Sequence, residues 1–331
     1  MRAYRYTNFN GIDGLELVEE QIPAVGPGQV LVRVHASSLN ARDLLIANGQ
    51  YPFTAAPGFI ALSDGAGEVV ETGEGVTRFA PGDRVISSYN ATWFGGKPRG
   101  IVPQYGVELD GWLAEHRVVS EQALVRMPDH LSFEEGASLP CAAVTAWSAL
   151  DGVMPGDTVL TQGTGGVAVF ALQLAQTLGA RVVATTSSAE KAQRLSELGA
   201  DAVINYVDTP EWSQSVQELT GGEGADRIVE VGGPGTIAQS VAALARGGEI
   251  ALVGLLAPIG DGMNLIDFFL GQAKLRTVNT GTREDLEDLN RALASREVHP
   301  VIDRVFAFDE AREAFAALAA GGHVGKIVIR H

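Results

Sequence analysis

The sequence has little cysteine, few basic residues and no long hydrophobic run, and each shortage excludes a class of protein. Cys141 is the only cysteine among 331 residues, so neither an internal disulfide nor a zinc site of several thiolates can form. Lys and Arg number 24 against 40 acidic residues, and the net charge of −16 argues against a nucleic-acid or anionic-membrane surface. No stretch has the length of a membrane span, and the opening MRAYRYTNFNG lacks the apolar core of a signal peptide. We therefore expect a cytoplasmic protein that binds neither nucleic acid nor membrane.

Glycine, in contrast, is abundant, and its most informative cluster follows an apolar run at residues 158–161. Gly163, Gly165 and Gly166 precede Ala168, apolar residues then recur at helical spacing as far as Leu178, and residues 181–185 predict a second strand. This order of strand, glycine turn, helix and strand is the context that a dinucleotide-binding fingerprint requires. The glycines let the backbone approach a pyrophosphate, and the helix start offers free N–H groups. We predict a nucleotide site, with an ordinary strand-to-helix turn as the alternative; its residues are Gly163, Thr164, Gly165, Gly166 and Val167.

The pattern of predicted elements changes near residue 130. Residues 1–125 contain short apolar runs between glycine-rich turns, which predicts β structure, and the last strand of this region is predicted at 112–119. Ser132 and Glu135 form a capping box before a helical stretch at 137–150. From residue 157 to about 279 strands and helices alternate, which predicts a parallel, doubly wound sheet. The predicted strands there are 158–162, 181–185, 202–205, 227–231, 249–253 and 275–279, and the helices are 166–178, 188–198, 211–219 and 235–245. Helices at 283–295 and 309–320 precede a last strand at 326–329.

Three stretches resemble one protein family. They are GAGEVVETG at 65–73, FAPGDRV at 79–85, and the glycine fingerprint together with LGADAVINY at 198–206. Together they resemble the medium-chain dehydrogenase/reductase superfamily, and the resemblance extends over nearly the whole chain. It implies an α/β fold in which a GroES-like β domain is followed by a Rossmann domain with a doubly wound parallel sheet. The expected domains are 1–125 (GroES-like, catalytic), 126–282 (Rossmann, cofactor-binding) and 283–331 (a segment that returns to the first domain).

The positions that match the zinc ligands of this superfamily carry other residues here. Its zinc-dependent alcohol dehydrogenases hold the catalytic metal with a Cys, a His and a second Cys, and an acidic residue stands beside the His. The matching residues in this chain are Asn40, Ser63, Asp64 and Cys141. Asn and Ser are poor replacements for thiolate and imidazole, because zinc prefers several nitrogen or sulfur donors. We therefore predict no metal and interpret Cys141 as a small buried residue.

Without zinc, the sequence resembles the quinone oxidoreductase branch, of which zeta-crystallin is the familiar member. Asn40, Asp43 and Tyr51 match the N-x-x-[DE]…Y pattern of that branch, in which Asn40 and Tyr51 fall on positions that line the substrate cleft. Leu45 replaces a second cleft tyrosine of some members. Asp43 is interpreted as a helix cap or ion-pair partner. The loops at 45–60 and 90–110 are expected to shape the cleft, where Trp93, Phe94 and Trp112 either form an apolar wall or pack under the loop.

Hydride addition to an already activated acceptor needs hydrogen-bond donors for the oxygen on which charge builds, and no Lewis acid. We expect Asn40, Tyr51 and Ser63 to act as these donors, with Tyr51 or water as the proton source. The alternatives are a turn-stabilising amide for Asn40 and a half-buried aromatic for Tyr51.

The choice between NADH and NADPH is expected at the end of the second Rossmann strand. Thr186 stands where sites that prefer NAD carry Asp or Glu, so no carboxylate repels a 2′-phosphate. Ser187 and Lys191 follow, and Tyr206 matches a tyrosine that related reductases place on that phosphate. We predict NADPH, which does not exclude that Ser187 caps the next helix with Glu190. Later strand ends complete the predicted cofactor site with Gly232, Val253, Gly254 and Leu255.

The sequence thus predicts a zinc-independent, NADPH-dependent reductase whose small-molecule acceptor is a quinone or another α,β-unsaturated carbonyl compound. A zinc-free alcohol dehydrogenase or carbonyl reductase is the first alternative. An NADPH-binding sensor or structural protein with little catalysis is the second. The apolar run at 263–270, followed by the last Rossmann strand, predicts a homodimer, although a buried helix would also explain it.

Overall fold

The computed structural model describes residues 1–52, 57–100, 102–257 and 262–331. The chain divides into two compact units: unit 1 comprises residues 1–144 and 281–331, and unit 2 comprises residues 145–280. Residues 126–144, which the sequence places with the cofactor domain, lie in unit 1. Within the described ranges, no helix is both long and apolar enough to cross a membrane.

The strands and helices are named in chain order. The strands are β1 (Arg2–Tyr6), β2 (Leu15–Glu19), β3 (Gln29–Ser38), β4 (Asp64–Thr72), β5 (Arg84–Ser87), β6 (His116–Ser120), β7 (Leu124–Arg126), β8 (Thr158–Gln162), β9 (Arg181–Thr186), β10 (Ala202–Asn205), β11 (Ala225–Glu230), β12 (Leu244–Leu252), β13 (Lys274–Thr277), β14 (Ile302–Ala307) and β15 (Lys326–Arg330). The helices are α1 (Ala41–Ala47), α2 (Phe133–Ala137), α3 (Val144–Ala149), α4 (Gly166–Thr177), α5 (Ala189–Glu197), α6 (Trp212–Leu219), α7 (Ile237–Ala243), α8 (Leu265–Leu270), α9 (Arg283–Arg296) and α10 (Ala311–Ala320).

Unit 1 is organised around β3, the longest strand of its main sheet. The strands of this sheet follow the order β14-β15-β3-β4-β5-β7, and β6 also pairs with β3. The antiparallel register sets Ser38, the last residue of β3, opposite Asp64, the first residue of β4. On the other side of β3, Val328 of β15 stands opposite Ser38. These two pairings bring the start of β4 and the start of β15 to the same end of β3, where α1 begins.

Unit 2 is a six-stranded parallel sheet in the order β10-β9-β8-β11-β12-β13. Counted within the unit, this is the strand order 3-2-1-4-5-6 of a doubly wound dinucleotide-binding domain. Every residue of β8 is buried, as expected for a central parallel strand covered on both faces. Ligands of such sheets bind beyond the carboxyl ends of the strands where the order reverses, here between β8 and β11. The predicted α/β fold class is confirmed.

Two details of the sequence prediction are wrong. The helical stretch expected at 137–150 begins earlier, with α2, which a wider π-helical turn at Leu139–Ala143 divides from α3. Pro140 lies at the division, where its ring and missing N–H disfavour regular α-helix. The strand expected at 112–119 begins only at His116, with a single bridge from Ala114 to Ala3 before it. The capping box is confirmed: Ser132 N–H donates to Glu135 Oε2 at 2.7 Å, and Glu135 N–H to Ser132 Oγ at 3.2 Å.

Candidate active site

Asp64 is the centre of a buried hydrogen-bond cluster in unit 1. Its carboxylate accepts from Asn40 Nδ2 at 2.9 Å and from Ser38 Oγ at 3.3 Å on one oxygen. On the other oxygen it accepts from Ser63 Oγ at 2.6 Å. Asp64 is fully buried, so these donors replace the water that its charge would otherwise bind. The structure therefore brings the predicted residues Asn40 and Ser63 together, but the Ser63 hydroxyl already donates its hydrogen bond to Asp64.

Lys326 completes this cluster, and the sequence analysis missed it. Its Nζ donates to Asn40 Oδ1 at 2.6 Å and to Leu39 O at 2.5 Å, and lies 3.9 Å from Asp64 Oδ2. Only 2% of Lys326 is exposed, which is rare for a lysine that lacks a partner. One signal was present in the sequence: this lysine opens the apolar strand KIVI, where a solvent-exposed cation is out of place.

Asp43 closes the first turn of α1 and is itself fully buried. Its Oδ2 accepts from Asn40 N–H at 2.7 Å, which satisfies a free donor at the helix start, as the cap interpretation expects. Burial raises the pKa of Asp43 to about 6, and the Arg42 guanidinium acts in the opposite direction. The carboxyl group of Asp43 thus ionises close to neutral pH.

Tyr51 belongs to a second cluster, built around Gln104. Gln104 Oε1 accepts from Tyr51 OH at 2.8 Å, from Tyr89 OH at 3.1 Å and from Arg42 Nη2 at 3.1 Å. The Arg42 guanidinium lies 5.1 Å from the ring centres of both tyrosines, within the range of cation–π attraction. Burial raises the pKa of Tyr89 well above its ordinary value, so this phenol keeps its proton. Residues 53–56 and 101, in the loops expected to shape the cleft, lie outside the described residues.

The donors at the zinc-matching positions do not fit a zinc ion. Asn40 Oδ1 faces the Lys326 ammonium, and both oxygens of Asp64 accept hydrogen bonds from neighbours. Burial raises the pKa of the Cys141 thiol, whereas zinc binds the thiolate. In the part of the chain that the structure describes, no group of three or more His, Cys, Asp or Glu side chains is placed to hold a metal ion.

The glycine turn of unit 2 has the geometry that a phosphate site needs. Gly163 has φ +78°, a conformation that favours glycine, and its N–H donates to Thr185 O at 2.8 Å. Gly165 occupies the N-cap of α4. A Cβ built on Gly163 or Gly165 meets no atom within 4 Å, so open space lies above the turn. An anion in that space would face the N–H groups and positive dipole end of α4, and the residues present therefore fit a dinucleotide pyrophosphate.

The end of β9 presents the residues predicted to choose the cofactor. Thr186 is buried, and its Oγ1 has no hydrogen-bond partner among the described residues. Tyr206 N–H donates to Thr186 O at 2.9 Å, and 43% of Tyr206 is exposed. Ser188 is the N-cap of α5 and accepts from Lys191 N–H at 3.3 Å. The alternative role of Ser187 as the N-cap is therefore wrong, because that position belongs to the next serine.

The backbone N–H groups after β11 and β12 are already used within the unit at three of the predicted residues, Gly232, Val253 and Gly254. Glu230, fully buried, accepts from Gly232 N–H at 2.9 Å through Oε1. Its backbone carbonyl accepts from Val253 N–H at 2.8 Å and from Gly254 N–H at 3.2 Å. Gln162, the last residue of β8, donates to Glu230 Oε2 at 2.8 Å. Gln162 and Glu230 are thus the organising residues of these loops, a side-chain role that sequence reasoning did not assign to either of them. Leu255, which follows, is exposed.

Three aromatic residues were expected either to line the substrate cleft or to pack in the interior. They lie in different environments. Trp112 is fully buried, with its ring 6.0 Å from that of Tyr105, and belongs to a hydrophobic core of unit 1. Trp93 Nε1 donates to Gly96 O at 2.8 Å, and Phe94 is partly exposed beside Arg283. Packing is therefore the role of Trp112.

Comparison with known proteins supports the family resemblance. Residues 26–129 match the family model of the alcohol dehydrogenase GroES-like domain, and residues 166–296 match that of the zinc-binding dehydrogenases. A zinc-type alcohol dehydrogenase-like protein of Schizosaccharomyces pombe is 39% identical over 100% of this chain and 99% of its own length. A 2-methylene-furan-3-one reductase of Solanum lycopersicum is 33% identical over 99% of this chain and 79% of its own length. A chloroplastic quinone-oxidoreductase of Triphysaria versicolor is 32% identical over 99% and 98% of the two chains.

A solved structure of an NAD-dependent alcohol dehydrogenase is similar over the full length of both chains, with a TM-score of 0.92 and 32% identity. The fold agrees with this solved structure, and the names of the relatives include alcohol dehydrogenases, a 2-methylene-furan-3-one reductase and a quinone-oxidoreductase. The chain is therefore an oxidoreductase with a nicotinamide cofactor and belongs to the medium-chain dehydrogenase/reductase superfamily.

Proposed function

We propose that this protein is a zinc-independent, NADPH-dependent reductase that transfers hydride to a quinone or another α,β-unsaturated carbonyl compound. The observation that carries the proposal is the buried cluster of Asn40, Asp64 and Lys326. Its Asn40, at a zinc-matching position, is bound by Asp64 and Lys326 and offers a ligand a hydrogen-bond donor.

The poor fit of a zinc ion to the donors at the zinc-matching positions favours an acceptor that is already activated. A simple ketone or alcohol needs a Lewis acid or a strong acid–base pair at its oxygen, whereas a conjugated acceptor delocalises the incoming charge onto its carbonyl oxygen. Asn40 uses one N–H of its amide on Asp64, so the second is available to that oxygen. Tyr51 donates to Gln104, but a phenol can exchange this partner for a bound oxygen.

The reduction balances as a two-electron transfer. When bound, the reduced nicotinamide supplies a hydride to the β-carbon of the acceptor. The π electrons of the C=C bond then move toward the carbonyl oxygen, where the Asn40 amide donates a hydrogen bond to the developing enolate. Water or Tyr51 delivers a proton to the α-carbon, so the acceptor gains H⁻ and H⁺.

The preference for NADPH is supported by the end of β9. Thr186, Ser187 and Lys191 place hydroxyl and ammonium groups where an acidic residue would exclude a 2′-phosphate. Tyr206 lies beside Thr186 through a backbone hydrogen bond and is partly exposed.

Titration of metal-stripped protein with NADPH and NADH, followed by nicotinamide fluorescence, tests the cofactor and the metal together. We expect NADPH to bind at least ten-fold more tightly, and Lys191→Ala to remove most of that preference while leaving NADH affinity unchanged. Arg194→Ala, three residues further along α5, is the matched control and should leave both affinities unchanged. Equal binding of the two nucleotides, or binding that requires added zinc, would contradict the proposal.

Turnover then separates the acceptor classes. With NADPH, a water-soluble quinone and a simple enone should be reduced at least 100-fold more efficiently than a saturated ketone, without added metal. A zinc-free alcohol dehydrogenase is the second candidate, since the S. pombe relative is named a zinc-type alcohol dehydrogenase-like protein and the solved structure an NAD-dependent alcohol dehydrogenase. Efficient oxidation of a primary or secondary alcohol by metal-stripped protein would favour it. Tight NADPH binding without turnover of any of these compounds would indicate a sensor or structural protein.

A further inference from the structure

Lys326 is held beside the start of α1 by the strand pairing of unit 1. It is the first residue of β15, its N–H donates to Val301 O at 3.0 Å, and the next carbonyl, Ile327 O, accepts from Leu39 N–H at 3.0 Å. Gly325 before it has φ +88°, and a Cβ there would stand 2.2 Å from Val301 O. The backbone around Lys326 is therefore fixed, and so is the direction from which its side chain reaches Asn40.

The ammonium determines which way the Asn40 amide is turned. An ammonium group can only donate, so it must face the amide oxygen, and an ionised carboxylate can only accept, so it must face the amide nitrogen. Lys326 Nζ stands 2.6 Å from Asn40 Oδ1, and Asp64 Oδ2 stands 2.9 Å from Asn40 Nδ2. The flipped amide would set like groups against each other at both ends. Only one of the two amide orientations is consistent with both neighbours.

The three side chains differ in their access to a ligand. Lys326 and Asp64 are buried, whereas Asn40 is partly exposed. Of the cluster's charged and amide groups, the amide of Asn40 is therefore the one that an external oxygen can reach. Its remaining N–H is supplied by a nitrogen that Lys326 and Asp64 together hold in place.

We infer that Lys326 is a positioning residue, which locks the Asn40 amide with its free N–H toward the acceptor and places a buried positive charge behind it. The inference deepens the proposed function and depends on it only for the identity of the acceptor. A preorganised donor stabilises charge that develops during the reaction more than charge in the ground state, so the loss of Lys326 should lower kcat more than it raises KM.

The first experiment reads the amide directly and needs no substrate. Selective ¹⁵N-asparagine labelling, with the Asn40 signal assigned from Asn40→Asp, reports the side-chain NH₂ pair of that residue. In the wild type we expect a slowly exchanging pair with two distinct proton shifts. Lys326→Met keeps the aliphatic stem but removes the ammonium, and should shift this pair and increase its exchange rate at least ten-fold. An unchanged Asn40 signal would overturn the inference, whichever substrate the enzyme uses.

A second variant, in which no buried charge is left without a partner, controls for misfolding. Lys326→Met alone leaves Asp64 as an uncompensated buried charge, whereas Lys326→Met with Asp64→Asn removes both charges at nearly constant volume. We expect this double variant to fold with a wild-type circular dichroism spectrum and NADPH affinity. The Asn40 amide should still lose its fixed orientation. A wild-type amide signal in the folded double variant would equally overturn the inference.

The kinetic arm separates failure of this inference from failure of the proposed function. With the acceptor that the wild type reduces best, the charge-free double variant should lose at least ten-fold in kcat with less than three-fold change in KM. If Lys326 acts through Asn40, adding Lys326→Met to Asn40→Ala should lower kcat by less than two-fold more. Fully additive losses would overturn the inference. A wild type that reduces neither quinone nor enone would refute the proposed function, and the amide signal would still decide the role of Lys326.

Discussion

The end of β3 in unit 1 and the glycine turn after β8 in unit 2 are built in opposite ways. The first is a set of buried charged and amide side chains, Asp64 and Lys326 above all, that are bound to each other through Asn40. The second consists of backbone and open space, in which Gly163 and Gly165 leave room that a Cβ would begin to fill. A closed side-chain cluster can position one donor very accurately, whereas an open backbone cradle can accept a large ligand without distortion. The two functions, orientation of an acceptor and binding of a nucleotide, correspond to these two constructions.

The open cradle gives the largest expected effect. Gly165 has an ordinary negative φ of −69°, so a side chain there causes no backbone strain and simply projects into the free space. Gly165→Val should weaken NADPH binding by 100-fold or more, about 3 kcal/mol, and Gly165→Ala by less. The free energy of unfolding should change by less than ~1 kcal/mol for either variant.

Calorimetric titration and differential scanning calorimetry on the same preparations check both halves of this prediction. A Gly165→Val protein that binds NADPH normally would show that the phosphates do not lie over this turn. A large loss of stability would show that the glycine is needed for folding.

The two constructions also explain what could be predicted from the sequence. The glycine turn and strand order of unit 2 follow from local patterns, because a parallel α/β unit repeats strand, turn and helix along the chain. The Asn40 cluster joins residues from positions 40, 64 and 326, which only the register of β3 with β4 and β15 brings together. Asn40 and Ser63 were identified through family resemblance. Lys326 and Glu230 were missed, because a single charged residue in or at the end of an apolar strand carries no spacing signal.

Unit 2 also exposes an apolar surface at one edge of its sheet. In α8 four apolar side chains are exposed, with Phe269 at 79%, and β13 lies at the edge of the described sheet. An edge strand beside an apolar surface invites pairing with a second copy of the sheet, and we propose a homodimer formed through this edge. Phe269→Lys should raise the dissociation constant at least 30-fold, about 2 kcal/mol.

Sedimentation velocity at several protein concentrations measures this change. Met154→Lys is the matched control, since Met154 is 63% exposed in the same unit outside α8 and β13, and it should leave the assembly unchanged. A wild type that is monomeric at micromolar concentration would exclude the dimer, and equal effects of the two substitutions would mean that the edge of α8 and β13 is not the contact.

The smallest of these effects is expected in unit 1. Burial of Asp43 at the start of α1 should make the stability of the protein depend on pH. Burial raises the pKa of Asp43 to about 6 from an ordinary value of 3.8. Between these two values the folded state holds a proton that the unfolded state has released, so the free energy of unfolding should fall as pH rises through this window. The difference between these two pKa values corresponds to a change of about 2 kcal/mol between pH 4 and 6.5. Urea unfolding of the wild type and of Asp43→Asn across this range isolates the contribution, since the amide does not titrate. The stability difference, wild type minus variant, should decrease with rising pH. A difference that is constant, or that increases, would mean that Asp43 ionises normally and that the cluster around α1 tolerates its charge without penalty.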